Sequence, residues 1–322
     1  MTHFRIAGTG SCLPEKIITN NDLSEFLDTS DEWIKTRTGI ERRHVLSDNE
    51  SLLSIGKEAC LRALKMADCD PAEVDMLICC TLMGDFISPS LSCMLSGALG
   101  LRQDCFTIDQ NMGCCGFICG LRTADAFFMS GSVKKVLVVS SEAMSRLVDW
   151  TDRSNCVLFG DAAGAVLLEA ADNAVDFDFN LAESHEHLHV KRAGDNCPYN
   201  SYNYGNEQII HMNGQEVYKF AVIAIVDRIK SLLNKNNLSP DEIDTYLLHQ
   251  ANLRIINSSI QKFGQNPSKF PHTIEETGNT SSSTCAYLLD IQNRAGRFRR
   301  GDKVVLCAFG AGLSSIAAYI EW

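Results

Sequence analysis

The sequence predicts an α/β protein made of two like halves, each built round a buried, largely parallel sheet. Three observations predict it. Segments with apolar residues at helical spacing alternate with short β-branched runs, the rhythm of strand–helix–strand units. Pro71-Ala-Glu-Val-Asp-Met-Leu-Ile-Cys-Cys80 and Pro240-Asp-Glu-Ile-Asp-Thr-Tyr-Leu-Leu-His249 read almost alike, just over half a chain length apart. Two further pairs echo each other: Gly131-Ser-Val-Lys-Lys-Val-Leu-Val-Val139 with Gly301-Asp-Lys-Val-Val-Leu306, and Gly160-Asp-Ala-Ala-Gly-Ala-Val-Leu-Leu168 with Gly310-Ala-Gly-Leu-Ser-Ser-Ile-Ala-Ala-Tyr319.

The elements follow in chain order. Met1-Thr-His-Phe-Arg-Ile6 goes straight into a strand rather than a signal peptide. Leu52, Ile55, Ala59, Cys60, Ala63 and Leu64 form a helical stripe ahead of the strand that ends at Cys80. A glycine-flanked turn, Gln110-Asn-Met-Gly-Cys-Cys-Gly-Phe117, joins a strand-like run to a helix, and each later Gly/Ala turn opens an apolar strand. The halves divide near residue 170, giving units 1–170 and 171–322. Asp172 to Tyr204, rich in Asn, Asp and His, reads as an excursion on the second half. Val222, Ile225, Val226, Ile229 and Leu232 repeat the helical stripe before Tyr246-Leu-Leu248, and a final helix is expected from Thr284 to Arg297.

At 322 residues, 45% hydrophobic and 21% charged, the chain can bury large cores, which excludes disorder. No apolar run approaches the ~20 residues of a membrane span. The formal charge of -11 argues against nucleic acid or an anionic membrane as partner. Fourteen cysteines, none in a CxxC pair, read as reduced and packed, which points to the cytoplasm and away from zinc. His185, His187 and His189 alternate as on one strand face, but nothing nearby supports a ligand shell, so no metal is expected. Gly8-Thr-Gly10 lacks the spacing of a dinucleotide or phosphate loop.

Chemistry concentrates at three turns. Cys114 opens a helix, where the backbone dipole and free N–H groups favour a thiolate and lead us to expect a lowered pKa. His249 ends a strand, where open α/β sheets bind ligands, and is followed by Gln250-Ala-Asn252. Asn279, in Thr277-Gly-Asn-Thr-Ser-Ser282, precedes the last helix and is equally a candidate N-cap.

Together with the glycine-rich Phe309-Gly-Ala-Gly312, these residues closely resemble the thiolase-fold condensing enzymes, and among them the β-ketoacyl-acyl carrier protein synthase III family. The resemblance runs along the whole chain: Gly8-Thr-Gly-Ser-Cys-Leu-Pro14, Asp28-Thr-Ser-Asp-Glu-Trp-Ile34, Thr36-Arg-Thr-Gly-Ile40, Cys114-Cys-Gly-Phe117, Phe159-Gly-Asp-Ala-Ala-Gly164, His249-Gln-Ala-Asn-Leu-Arg-Ile255 and Gly278-Asn-Thr-Ser281. It implies a five-layered αβαβα fold of two duplicated halves, a homodimer, and decarboxylative condensation of an acyl-CoA primer with malonyl-acyl carrier protein. No cofactor is implied, because coenzyme A arrives as the substrate's carrier.

Carried onto this sequence, the resemblance makes Cys114 the nucleophile and Cys115 a bystander. His249 and Asn279 become the pair of donors that stabilises the enolate formed on decarboxylation. A second oxyanion hole is implied at the backbone N–H groups of Cys114 and Ala311, the latter where the family usually has Gly. Trp33 and Arg153 are implied around the adenine of CoA, Arg37 near its phosphates, Asn252 on pantetheine, and Lys219 with Arg254 as a docking patch for the acidic carrier protein. Asp85-Phe-Ile-Ser-Pro-Ser90 matches the segment that crosses the dimer to close the acyl pocket, with Ser88 where acetyl-specific members often place an aromatic, which implies a roomier pocket. The alternatives are a relative of the same fold that serves a specialised metabolite, or a non-catalytic partner subunit. The second is disfavoured by the presence of all three catalytic residues.

Overall fold

A computed structural model describes residues 2–182, 184–191, 199 and 208–322. The strands are β1 His3–Cys12, β2 Lys16–Thr19, β3 Arg42–Val45, β4 Met76–Cys80, β5 Phe106–Gln110, β6 Lys135–Ala143, β7 Asp161–Ala171, β8 Val175–Leu181, β9 Leu188–Val190, β10 Ile210–Met212, β11 Thr245–Leu248, β12 Lys303–Gly310 and β13 Ser314–Glu321. The helices are α1 Asn20–Ser24, α2 Asp31–Thr38, α3 Leu52–Met66, α4 Leu91–Leu99, α5 Gly116–Met129, α6 Gly214–Lys235, α7 Leu253–Phe263, α8 Ile274–Thr277 and α9 Ser283–Arg294.

One sheet runs β1-β7-β6-β4-β5 and the other β11-β12-β13-β8. The order repeats with β8 standing for β1, β13 for β7, β12 for β6 and β11 for β4. The repeat reaches single side chains. Asp75 and Asp244 each accept backbone N–H bonds from Lys135 and Lys303, at 3.0 and 2.8 Å. Those lysines in turn pair with Glu73 at 2.7 Å and Glu242 at 2.9 Å. The sheets are mixed rather than largely parallel: β4 runs parallel to β5 and β6, and β11 to β12, while the pairs made by β7 and β13 are antiparallel. β13 follows β12 after three residues, Ala311–Leu313, and so short a connection can only return the chain antiparallel.

Strand alternation sorts the apolar side chains between layers. On β4, Met76, Ile78 and Cys80 enter the central core, and Leu77 and Cys79 the outer one under α3 and α4. On β12, Val304, Leu306 and Ala308 face the centre, and Val305, Cys307 and Phe309 face α6 and α7. Helices α5 and α9 lie between the sheets, which completes the αβαβα layering. Close approach is set by glycine: a Cβ on Gly8 would stand 2.2 Å from Ala63 O on α3, and one on Gly164 would stand 2.6 Å from Ala286 Cβ on α9.

The excursion after residue 171 contains β8 and β9, the latter paired antiparallel with β10, and residues 183, 192–198 and 200–207 fall outside the described residues. The three alternating histidines do not share a strand face. Only His189 lies in β9; its ring stacks on His211 at 5.1 Å, while His185 and His187 precede the strand. Among the described residues no cluster of His, Cys, Asp or Glu could hold a metal. No described helix is long and apolar enough to cross a membrane. The described cysteines are unpaired, and all but Cys12, Cys93 and Cys114 are buried.

Candidate active site

The N-termini of the two central helices meet at one end of a cavity of about 950 Å³ lined by Cys114, His249, Asn279 and Ala311. Their closeness is fixed by glycine: a Cβ on Gly116, the first residue of α5, would stand 3.1 Å from Ser282 Cβ, just before α9. Cys114 sits in a tight turn, Gly113–Cys115, that runs directly into α5. Gly113 has φ +52°, a conformation that glycine adopts without a Cβ clash. A Cβ there would touch Ala311 N at 3.6 Å, so the Ala311 backbone lies against the turn that carries Cys114. Ala311 is not among the residues of positive φ; in its loop those are Gly312 at +73°, which glycine adopts freely, and Leu313 at +51°. The methyl group at this position therefore leaves the backbone N–H usable.

The thiol does not have the lowered pKa expected at a helix N-terminus. Its sulfur is enclosed by protein although the residue keeps some surface on the cavity, and burial pushes it up to about 12. The Ser281 hydroxyl and the thiol's own backbone N–H oppose that rise, and the Glu142 charge adds to it. Desolvation outweighs those two hydrogen bonds, so Cys114 rests as a thiol.

His249 follows β11 directly, its N–H bonded to Cys307 O at 2.8 Å. The imidazole is buried, lies edge-on to Phe309 at 5.3 Å, and has Nδ1 2.6 Å from Thr284 Oγ1. Burial pushes its pKa down to about 3, so it is neutral at rest. Asn279 is not the cap of α9; that position is Ser282, and the helix spans Ser283–Arg294 rather than Thr284 to Arg297. Asn279 Oδ1 instead accepts the Ser281 backbone N–H at 2.9 Å. Because that N–H can only donate, the amide is oriented with Nδ2 as the free donor. The loop is clamped by Asn279 N to Leu158 O at 2.8 Å and Gly160 N to Asn279 O at 3.1 Å.

Trp33 and Arg37, four residues apart on α2, also line the cavity; the Arg37 guanidinium lies 4.4 Å from the Trp33 ring centroid, and that of Arg153, from a distant part of the chain, lies 5.4 Å from the same ring. Arg153 is held by the side chain and carbonyl of Asp28. Asn252 caps α7, accepting Arg254 N at 2.8 Å, and donates to Arg37 O at 3.2 Å while still lining the cavity. Lys219 and Arg254 are exposed near the N-termini of α6 and α7, whose neighbours Val217, Tyr218 and Ile255 line the cavity; Lys219 is paired with Glu216 at 2.7 Å. Ser88 lies apart from this chain's own cavity, on an exposed segment beside Phe86 and Ile87.

Sequence reasoning missed Glu142, Ser281 and Thr284. Glu142 is fully buried without an ion pair among the described residues, accepting Ser282 Oγ at 2.6 Å and Leu82 N at 3.0 Å. Ser281 Oγ is buried, has no well-formed hydrogen bond, and stands near the Cys114 thiol. The available signal was Thr280-Ser-Ser-Ser-Thr284, five hydroxyl residues in a row entering a buried helix.

Comparison with known proteins shows the family and the fold. Residues 108–184 match the family model described as 3-oxoacyl-[acyl-carrier-protein] synthase III, and residues 233–322 match the model for its C-terminal part. The chain is 40% identical over 330 residues to the β-ketoacyl-[acyl-carrier-protein] synthase III of Thioalkalivibrio sulfidiphilus, covering 100% of both. It is similar to the crystal structure of 3-oxoacyl-[acyl-carrier-protein] synthase III from Aquifex aeolicus, with TM-score 0.91 and 35% identity over 100% of both chains. The priming β-ketosynthase of the R1128 polyketide pathway is also similar, with TM-score 0.93 and 31% identity over 99% of this chain and 96% of that one.

Proposed function

The chain belongs to the 3-oxoacyl-[acyl-carrier-protein] synthase III family of acyltransferases, and on that premise we propose how its residues divide the reaction. The enzyme condenses an acyl-CoA with malonyl-acyl carrier protein and so initiates fatty acid synthesis. The observation that carries the assignment of roles is the convergence of Cys114, His249, Asn279 and the Ala311 backbone in one cavity.

In the first half-reaction the Cys114 sulfur attacks the acyl-CoA carbonyl. The oxyanion lies between the N–H groups of Cys114 and Ala311, and the thiol proton ends on the departing CoA sulfur. In the second, malonyl loses CO₂ and its thioester oxygen gains charge, which Asn279 Nδ2 and His249 Nε2 stabilise. The enolate carbon attacks the acyl-cysteine, and Cys114 leaves and is reprotonated. Each donor is worth about 2.7–4 kcal/mol of barrier. Trp33 and Arg153 hold the adenine, Arg37 the phosphates and Asn252 the pantetheine, while Lys219 and Arg254 receive the acidic carrier protein. Unit 1–170 contributes Cys114, and unit 171–322 contributes His249, Asn279 and the Ala311 backbone.

The functional enzyme is a homodimer joined along β5. Among the described residues that strand is bonded only to β4; its first residue, Phe106, is exposed, as are Phe86 and Ile87, the last 94% exposed. Dimerisation carries Ser88 into the partner's acyl pocket. Serine there, with an inner wall of Leu82, Met83, Met144, Leu147 and Phe159, favours primers longer than acetyl. Unpaired cysteines and water-soluble substrates fit a cytoplasmic enzyme.

Mass spectrometry after incubation with a panel of acyl-CoAs tests the first role: the adduct is expected on Cys114, and an adduct on Cys115, or condensation by Cys114→Ala, overturns it. Asn279→Ala should abolish condensation yet still acylate from CoA; condensation at the wild-type rate removes it from the site. Sedimentation should return twice the monomer mass.

A further inference from the structure

The Thr284 hydroxyl decides which nitrogen of His249 carries the proton. Thr284 Oγ1 has two close oxygen or nitrogen partners, Ser281 O at 3.0 Å and His249 Nδ1 at 2.6 Å, with the weakly bonding Cys285 thiol also nearby. A carbonyl oxygen can only accept, so the single hydroxyl hydrogen is directed to Ser281 O. The 2.6 Å contact to Nδ1 then needs its hydrogen from the ring. Reversing the hydroxyl would set two oxygens with no hydrogen between them at 3.0 Å inside a buried site, since Thr284 is 2% exposed. The neutral imidazole therefore has hydrogen on Nδ1 and a lone pair on Nε2. The Thr284 hydroxyl is itself held by the first turn of α9, whose Thr284 N–H also reaches Ser281 O at 3.3 Å.

Resting on the assignment of Cys114 and His249 above, we propose that Thr284 is a positioning residue: by accepting from Nδ1–H it makes Nε2 the nitrogen at which His249 gains and loses protons. In acyl transfer Nε2 takes the Cys114 thiol proton as sulfur bonds to the acyl carbon, and returns it to the CoA sulfur as that bond breaks. The ring ends as it began. Condensation consumes one proton overall, because CO₂ leaves and Cys114 returns to thiol. His249 takes that proton from solvent hydronium at Nε2, releasing water, beside the anionic malonyl group, donates a hydrogen bond from the resulting Nε2–H to the enolate oxygen, and delivers the proton to the departing Cys114 sulfur. Nδ1–H remains on Thr284 throughout. His249 therefore serves both half-reactions, whereas Asn279, a pure donor, serves only the second.

Nitrogen-15 NMR of histidine-labelled enzyme, with the His249 signals identified by their loss in His249→Gln, reads the tautomer directly. The resting enzyme should show a protonated Nδ1 and a bare Nε2; a protonated Nε2 in the neutral wild type overturns the proposal. Thr284→Val, close in shape but without the acceptor, should lose the Nδ1–H preference. It should slow acylation from CoA about a hundredfold at unchanged KM, while Thr284→Ser restores both signals and rate. Acylation at the wild-type rate in a folded Thr284→Val removes the catalytic role even if the tautomer changes. Loss of Cys114 acylation with the tautomer intact in all three proteins would count against the Cys114 assignment instead.

Discussion

Replacing Glu142 with glutamine should abolish a pH dependence of stability that one carboxyl builds into the fold. Glu142 is 1% exposed, and burial raises its pKa from 4.5 to about 7 despite the bonds it accepts from Leu82 N and Ser282 Oγ. Between those two values the native protein holds a proton that the unfolded chain has released. The stabilisation is therefore complete below pH 4.5 and lost as the pH rises through 7. At 1.36 kcal/mol per pH unit the full effect is about 3 kcal/mol, of which roughly 2.5 falls between pH 5 and pH 8. Glutamine fits the same cradle: its carbonyl can accept from Leu82 N–H, and its amide can donate to Ser282 Oγ, which then turns to donate to Ser140 Oγ at 2.5 Å. Urea unfolding at pH 5 and pH 8, at one protein concentration, should show Glu142→Gln gaining about 2.5 kcal/mol on the wild type across that interval. Equal pH slopes in the two proteins would refute the reasoning and mean that Glu142 is ionised throughout.

Three further outcomes are expected. Ser88→Phe should move the preferred primer toward acetyl by about tenfold in relative kcat/KM, since each buried methylene is worth about 0.8 kcal/mol; an unchanged chain-length profile shows that Phe86 or Ile87 already fills the space. Reversing charge with Lys219→Glu and Arg254→Glu should raise KM for malonyl-acyl carrier protein about tenfold, most at low salt, and leave that for acyl-CoA unmoved; equal effects on both substrates would move the patch from carrier docking to CoA binding. Gly164→Ala should cost about 1–3 kcal/mol in thermal unfolding, because its Cβ meets backbone atoms of α9, Ala286 C and Tyr287 N, at 2.8 Å; an unaltered melting point would mean that α9 shifts freely.

Much of the fold was legible because it rests on periodicity. The echo of Pro71 to Cys80 in Pro240 to His249 proved to be one unit used twice, down to the Asp and Lys that tie Asp75 to Lys135 and Asp244 to Lys303. Strand direction was less legible. An apolar run looks the same whichever way its neighbour lies, and only the three-residue connection after β12 forces the antiparallel return. The histidine alternation at 185–189 misled for a similar reason: spacing of two suggests a strand face, but the strand begins at Leu188.

At the site the sequence by itself determined the chemical groups: a cysteine in a glycine turn before a helix, a histidine ending a strand, an asparagine in a loop, and Trp33 with two arginines. These are local facts, readable from neighbours in the chain and from family resemblance. Tertiary structure alone decided their states. Cys114 is a thiol rather than a thiolate because protein from both halves encloses it, and no local dipole reveals that burial. Asn279 offers Nδ2, and His249 a lone pair on Nε2, because Ser281 N–H and the Thr284 hydroxyl occupy their other atoms. Protonation and hydrogen-bond direction depend on which solvent has been removed and which partner replaces it, and both are properties of packing between elements far apart in the chain.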